Sequence, residues 1–225
     1  MAKNKLQKFA DMETFERVFQ PKLPEFLEKT FELKGKWGEK VFKNNNPIVL
    51  ELGCGKGEYA VGMGRKYPNK NFIGVDIKGA RIWAGAQMSN HENLENVAFL
   101  RTNIDFVTHF FEENEIDEIW LTFSDPQPKK PQKRLSSSEF VARYRTFLKP
   151  EGIVHLKTDN TLLYESTMEE VEEHKYDLLI SSNNIYEKDW EIFNPELQEL
   201  LTIKTHYETL FANKGFKIKY CAFKI

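Results

Sequence analysis

The chain has 225 residues, a formal net charge of −2, 40% hydrophobic and 13% aromatic residues, enough apolar material for a folded core and too much for a disordered chain. No apolar run is long enough for a bilayer span, and the polar, basic start carries no secretory segment, so a cytoplasmic protein is expected rather than an exported or membrane-inserted one. The two cysteines, Cys54 and Cys221, stand far apart and read as reduced thiols, not as a disulfide framework. Residues 1–45 read as a basic arm bearing Lys3, Lys5, Lys8 and Arg17, with short helices over 12–19 and 24–31, and residues 46–225 as the main domain. A turn-rich stretch, 35–47, leads into a strand over 48–52, followed by a helix over 59–67 closed by Pro68. Strands over 71–76, 97–101, 118–123 and 153–157 then alternate with helices over 80–88, 105–113, 136–147 and 161–173. Strands over 178–181 and 216–223 flank a long helical pattern over 195–213. This alternation predicts an α/β fold with a doubly wound, mainly parallel, Rossmann-like sheet, and no repeat or linker divides it.

Ligands of such sheets sit beyond the carboxyl ends of the strands. Five predicted strands end near a short polar residue: Glu51, Asp76, Asn103, Asp125 and Asp159. Any one of them can be read as a turn or helix cap; five together point to a site. Glycines stand at Gly53, Gly55 and Gly57 in the first strand-to-helix turn, where the backbone bends tightly and a ligand approaches closely. Asp76 is placed to take the two hydroxyls of a ribose. The glycine spacing is not that of a dinucleotide loop, and no Lys-Ser or Lys-Thr follows as in a triphosphate loop. An acid just ahead of the glycines, Glu51, repels a pyrophosphate and suits a cationic cofactor without phosphate. S-adenosylmethionine is therefore favoured over NAD.

At this point the chain resembles the bacterial tRNA (guanine-N7)-methyltransferase family, from Leu6 to Lys219. The turn from Glu51 through Gly57 resembles the family's cofactor loop. Phe123-Ser-Asp-Pro-Gln-Pro-Lys-Lys130 resembles its Phe-Pro-Asp-Pro-Trp-Pro-Lys-Lys motif, with Ser124 and Gln127 as departures. Lys157-Thr-Asp-Asn160 and Thr205-His-Tyr-Glu208 resemble two further motifs. The resemblance implies a Rossmann-like methyltransferase domain over 46–225 that methylates the guanine at position 46 in the tRNA variable loop. It implies cofactor contacts at Glu51, Gly53, Gly55, Gly57, Asp76, Asn103 and Asp125, with Asp125 also the catalytic-site acid. It implies substrate contacts at Lys129, Asp159, Thr205 and Glu208.

Guanine N7 carries a lone pair and no proton, so the chemistry asks for positioning and for a carboxylate near the positive charge arriving on the purine. Asp125 and Asp159 can also accept from guanine N1–H and N2–H. Lys130, Lys133 and Arg134, in a proline-punctuated loop, are expected at RNA backbone phosphates. The basic arm is expected to order on binding tRNA or cofactor. Trp83, Trp120 and His155 read as packing residues, and the histidines and cysteines show no metal-ligand spacing. The expected partner is tRNA, with no DNA or membrane, and the chain a monomer or homodimer. The rival readings are a methyltransferase acting on another RNA, a small molecule or a protein, a noncatalytic RNA-binding protein, and an NAD-dependent oxidoreductase.

Overall fold

The computed structural model of the protein describes residues 5–205, 208–209 and 215–225. Lys3, and His206, Tyr207 and residues 210–213 of the expected 195–213 helix, lie outside the described residues. The strands are β1 (Val18–Phe19), β2 (Ile48–Leu52), β3 (Asn71–Asp76), β4 (Val97–Arg101), β5 (Ile116–Thr122), β6 (Leu148–Thr158), β7 (Asp177–Ser182) and β8 (Lys219–Lys224). They form a single sheet in the order β1-β4-β3-β2-β5-β6-β8-β7. All pairs from β1 to β6 are parallel, and β8 enters antiparallel between β6 and β7. Chain order runs outward from β2 through β3 to β4 in one direction and from β5 to β6 in the other. The crevice between β2 and β5 is therefore the switch point at which such sheets bind ligands.

Sequence explains why these strands lie in the middle. All five residues of β2 are buried, as expected where a parallel strand is covered on both faces. Leu50 and Leu52 join one apolar cluster with Ile73 and Val75, while Val49 joins another with Phe72 and Trp120. Alternation along the strand assigns these clusters to opposite faces. The helices covering them are α1 (Lys5–Thr14), α2 (Leu23–Glu28), α3 (Glu58–Lys66), α4 (Gly79–His91), α5 (Ser138–Tyr144), α6 (Thr161–Glu173) and α7 (Pro195–Leu201). The Asn160 side chain caps α6 by accepting from Leu163 N at 2.9 Å, and Asn194 caps α7 through Leu197 N at 2.8 Å, with Pro195 in the first turn.

Four expected elements differ. The 12–19 helix is displaced toward the N-terminus as α1, and Val18–Phe19 instead pair with the β4 edge, where Phe99 N donates to Arg17 O at 2.8 Å. The turn-rich stretch after Gly35 contains a π-helical turn, Trp37–Phe42, with Trp37 fully buried and its Nε1 donating to Phe110 O at 2.9 Å. The 105–113 helix is a 3₁₀ segment, Ile104–His109, that stops as Phe110 and Phe111 turn into the core. The expected 195–213 helix is interrupted: α7 ends at Leu201, and the described residues Glu208 and Thr209 are helical again. The carbonyls of Leu201 and Ile203 at the break are taken by a buried lysine on β6, an interaction no local pattern announces.

Candidate active site

The turn after β2 is built on left-handed backbone. Gly55 has φ +55° and its N–H donates to Asp76 Oδ2 at 2.9 Å, while a Cβ there would meet nothing within 4 Å, because the space in front is open cleft. Gly57, at φ +69°, is needed for a different reason: a Cβ would lie 2.5 Å from the Phe99 ring and 3.2 Å from Gly85 Cα. It seats α3 against α4 and does not line the cleft.

Glu51 is buried beneath this turn, 1% exposed. Its Oε2 accepts from Ala60 N at 2.9 Å in the first turn of α3, and its Oε1 is bonded to the Thr122 hydroxyl at the end of β5. Burial pushes its carboxyl up to about 8, against the pull of those two hydrogen bonds. At neutral pH without ligand it is largely protonated, and its proton can be shared with Thr122. Asp76 is different. It is only partly buried, and Oδ1 accepts from Lys78 N at 2.7 Å while Oδ2 holds Gly55. Each oxygen keeps a lone pair for a hydroxyl donor.

A cleft of about 870 Å³ opens above the β2–β5 crevice. Glu51, Gly53, Gly55, Asp76, Asn103, Asp125, Asp159 and Thr205 all line it, so topology brings these sequence-chosen residues together. Asn103 caps the 3₁₀ segment, its Oδ1 accepting from Asp105 N at 3.2 Å. Asp125 is exposed, with Oδ1 accepting from Gln127 N at 3.0 Å. Asp159 is partly buried, and desolvation raises its carboxyl above the ordinary value. Its backbone carbonyl receives Lys219 Nζ at 3.0 Å.

The basic residues separate. Lys130 is exposed and lines the cleft, while Lys129 is exposed and does not. Lys133 lines the cleft but is paired with Asp105 at 3.1 Å. Arg134, expected at phosphates, is 9% exposed, and its Nε donates to Pro126 O at 2.9 Å. It braces the Asp125 loop from within. Glu208, expected at the substrate, is wholly buried and outside the lining, with one oxygen on Lys157 Nζ at 2.7 Å and the other on the Tyr186 hydroxyl. His155 stacks on Trp120 at 4.2 Å with Nδ1 on the Tyr220 hydroxyl at 2.7 Å, and Trp83 donates to Asp11 at 2.8 Å, both as packing residues.

The cleft also uses residues that sequence reasoning passed over. Ile77 is 54% exposed beside Asp76, an apolar side chain held in the open directly after a strand-ending acid; that juxtaposition was the available signal. Thr122 lines the floor through its bond to Glu51. The open space before Gly55, the free lone pairs of Asp76 and the apolar surface of Ile77 fit the ribose and adenine of S-adenosylmethionine.

Comparison with known proteins carries the reading from fold to family. The chain is 48% identical over 225 residues to the tRNA (guanine-N(7)-)-methyltransferase of Bacteroides thetaiotaomicron, covering 100% of this chain and 87% of that one. To the protein of the same description from Bacteroides fragilis it is 50% identical over 223 residues, covering 99% and 86%. This chain belongs to the tRNA (guanine-N7)-methyltransferase family. A family model described as "Putative methyltransferase" matches residues 45–221. The fold alone is shared more widely. The crystal structure of the 16S rRNA methyltransferase KamB superposes with a TM-score of 0.61 at 13% identity, covering 83% of this chain and 91% of that one. This chain therefore stands apart from that neighbour in sequence while sharing its fold.

Proposed function

We propose that this protein transfers the methyl group of S-adenosylmethionine to N7 of a guanine in tRNA, at position 46 of the variable loop, in the cytoplasm. The observation that supports this most directly is the gathering of Asp76, Asn103, Asp125 and Asp159 around one cleft at the switch point of the sheet, in a chain of this family. When bound, S-adenosylmethionine supplies an electrophilic methyl carbon on a sulfonium. Asp76 and the Gly55 turn hold the ribose, and Ile77 and Asn103 flank the adenine. Glu51 sets the turn from below through its bonds to Ala60 N and Thr122. Asp125 and Asp159 face the acceptor, where they accept from guanine N1–H and N2–H and offset the positive charge that the purine gains. No base is required, because N7 carries no proton. Lys130 meets backbone phosphate at the rim.

The test is an unmodified tRNA transcript, a labelled methyl donor and mapping of the product. Label on one guanine, with the chain scission under reduction and aniline that 7-methylguanine gives, is the expected result. Label on another RNA or on a small acceptor, with tRNA untouched, would overturn it. Among the described residues no helix is long and apolar enough to cross a membrane.

A further inference from the structure

Lys157 lies two residues before Asp159 on β6, and its side chain is wholly buried. An ammonium has three protons, and here each has an acceptor: Leu201 O at 2.8 Å, Ile203 O at 3.0 Å and Glu208 Oε2 at 2.7 Å. Leu201 is the last residue of α7, where a helix leaves carbonyls without partners, and Ile203 lies just beyond its cap, Thr202. Glu208 is also 0% exposed. Its second oxygen accepts from Tyr186, and its N–H donates to Thr205 Oγ1 at 3.1 Å. Thr205 lines the cleft.

The same lysine reaches the other walls. Its carbonyl accepts from Phe123 N at 2.8 Å, just ahead of Asp125. Its Nζ lies 5.2 Å from the Tyr59 ring and 5.9 Å from the Phe123 ring. Tyr59, in α3 behind the glycine turn, donates to Leu200 O at 2.8 Å. One buried cation thus meets the cofactor helix, the Asp125 loop and the segment carrying Thr205.

We propose that the Lys157–Glu208 pair is a positioning device for the acceptor: it ends α7 and turns the chain so that Thr205 stands against the cleft, setting tRNA engagement without setting cofactor affinity. This rests on the tRNA reading above. Two buried charges are a weak source of stability, since apolar residues of like volume often hold a fold as well or better. Apolar residues would not hold the Leu201 and Ile203 carbonyls in one geometry, and those carbonyls fix the turn that carries Thr205 to the cleft. Lys157 and Glu208 touch no reacting atom and are positioning residues.

The experiment compares wild type, Lys157→Met with Glu208→Leu, and Glu208→Gln, which keeps shape and removes charge. Each is read by affinity for S-adenosylhomocysteine, by KM and kcat on a tRNA transcript, and by hydrogen exchange of a peptide spanning 200–209. For the double variant the expected result is S-adenosylhomocysteine affinity within about threefold of wild type, KM for tRNA raised tenfold or more, and faster exchange in that peptide. Glu208→Gln should raise KM severalfold with the same split, and it decides the matter if the double variant does not fold. Product affinity and tRNA KM worsening together in proportion to lost stability would overturn the inference, as would wild-type KM in both variants. Failure of the wild type to methylate tRNA would instead remove the functional reading on which the inference rests, so the two failures are told apart.

Discussion

Glu51 and Asp76 stand at the ends of neighbouring strands, but Glu51 is buried and Asp76 only partly so. The carboxyl of Glu51 is raised from 4.5 to about 8 by desolvation. The folded protein therefore binds an extra proton between those values. The stability that this neutral carboxyl contributes is complete below about pH 4.5 and is lost as pH rises toward 8. Glu51→Gln mimics the protonated form, since its carbonyl can accept from Ala60 and its amide can donate to Thr122. Without cofactor, the variant should melt with wild type at pH 5 and above it at pH 8, by at least ~3 °C on the scale of about 2–4 °C per kcal/mol for a chain this long. Parallel melting curves across that range would show that Glu51 is not protonated in the fold. Asp125 calls for the same substitution in kind. Asn keeps the acceptor for Gln127 N, bonded at 3.0 Å, and removes only the charge. Single-turnover methylation by Asp125→Asn should slow by one to three orders of magnitude, about 1.4–4 kcal/mol, with little change in cofactor affinity. A wild-type rate would leave Asp125 without a role in the chemistry.

The loop from Phe123 to Arg134 is the element on which that carboxylate depends. Phe123 and Gln127 both adopt left-handed backbone, φ +50° and +43°, which side-chain-bearing residues hold only when their surroundings fix them. The fixing contacts are Phe123 N on Lys157 O and Arg134 Nε on Pro126 O. Arg134→Met should therefore lower kcat about tenfold while the dependence of tRNA affinity on salt stays as in wild type. A salt slope reduced by about one unit would return Arg134 to phosphate binding. From sequence, Arg134 was indistinguishable from its neighbours Lys130 and Lys133, because its burial is a tertiary fact. The regular elements were more legible. β2, β3, β4 and α6 match their patterns, since apolar runs bounded by Asn, Asp and Gly define them locally. The end of α7 was not legible, because the donor to its Leu201 carbonyl, Lys157, comes from across the molecule. β1 was not, because two residues gain strand form only by meeting the β4 edge.

At the scale of the molecule, the cofactor half of the cleft was readable because strand ends converge wherever a doubly wound sheet reverses order. Its rim was not, since which lysines face a polyanion depends on which already have acidic partners. A chain of net charge −2 must hold tRNA through local charge, and the structure ranks the candidates. Lys130 is exposed at the cleft, whereas Lys133 is paired with Asp105, which Arg143 also approaches at 3.5 Å. Each phosphate neutralised contributes about 0.7–0.9 to the slope of log affinity against log salt. Lys130→Ala should lower the slope by about that much and weaken binding most at low salt. Lys133→Ala should lower it less, because Lys133 is already paired with Asp105 and must give up that ion pair to meet a phosphate. kcat at saturating tRNA should fall less than affinity in both. Filter binding across a salt series measures slope and affinity, and a methylation assay at saturating tRNA measures kcat; an unchanged slope for Lys130→Ala would mean that tRNA crosses the cleft on a different face from the Asp125 loop.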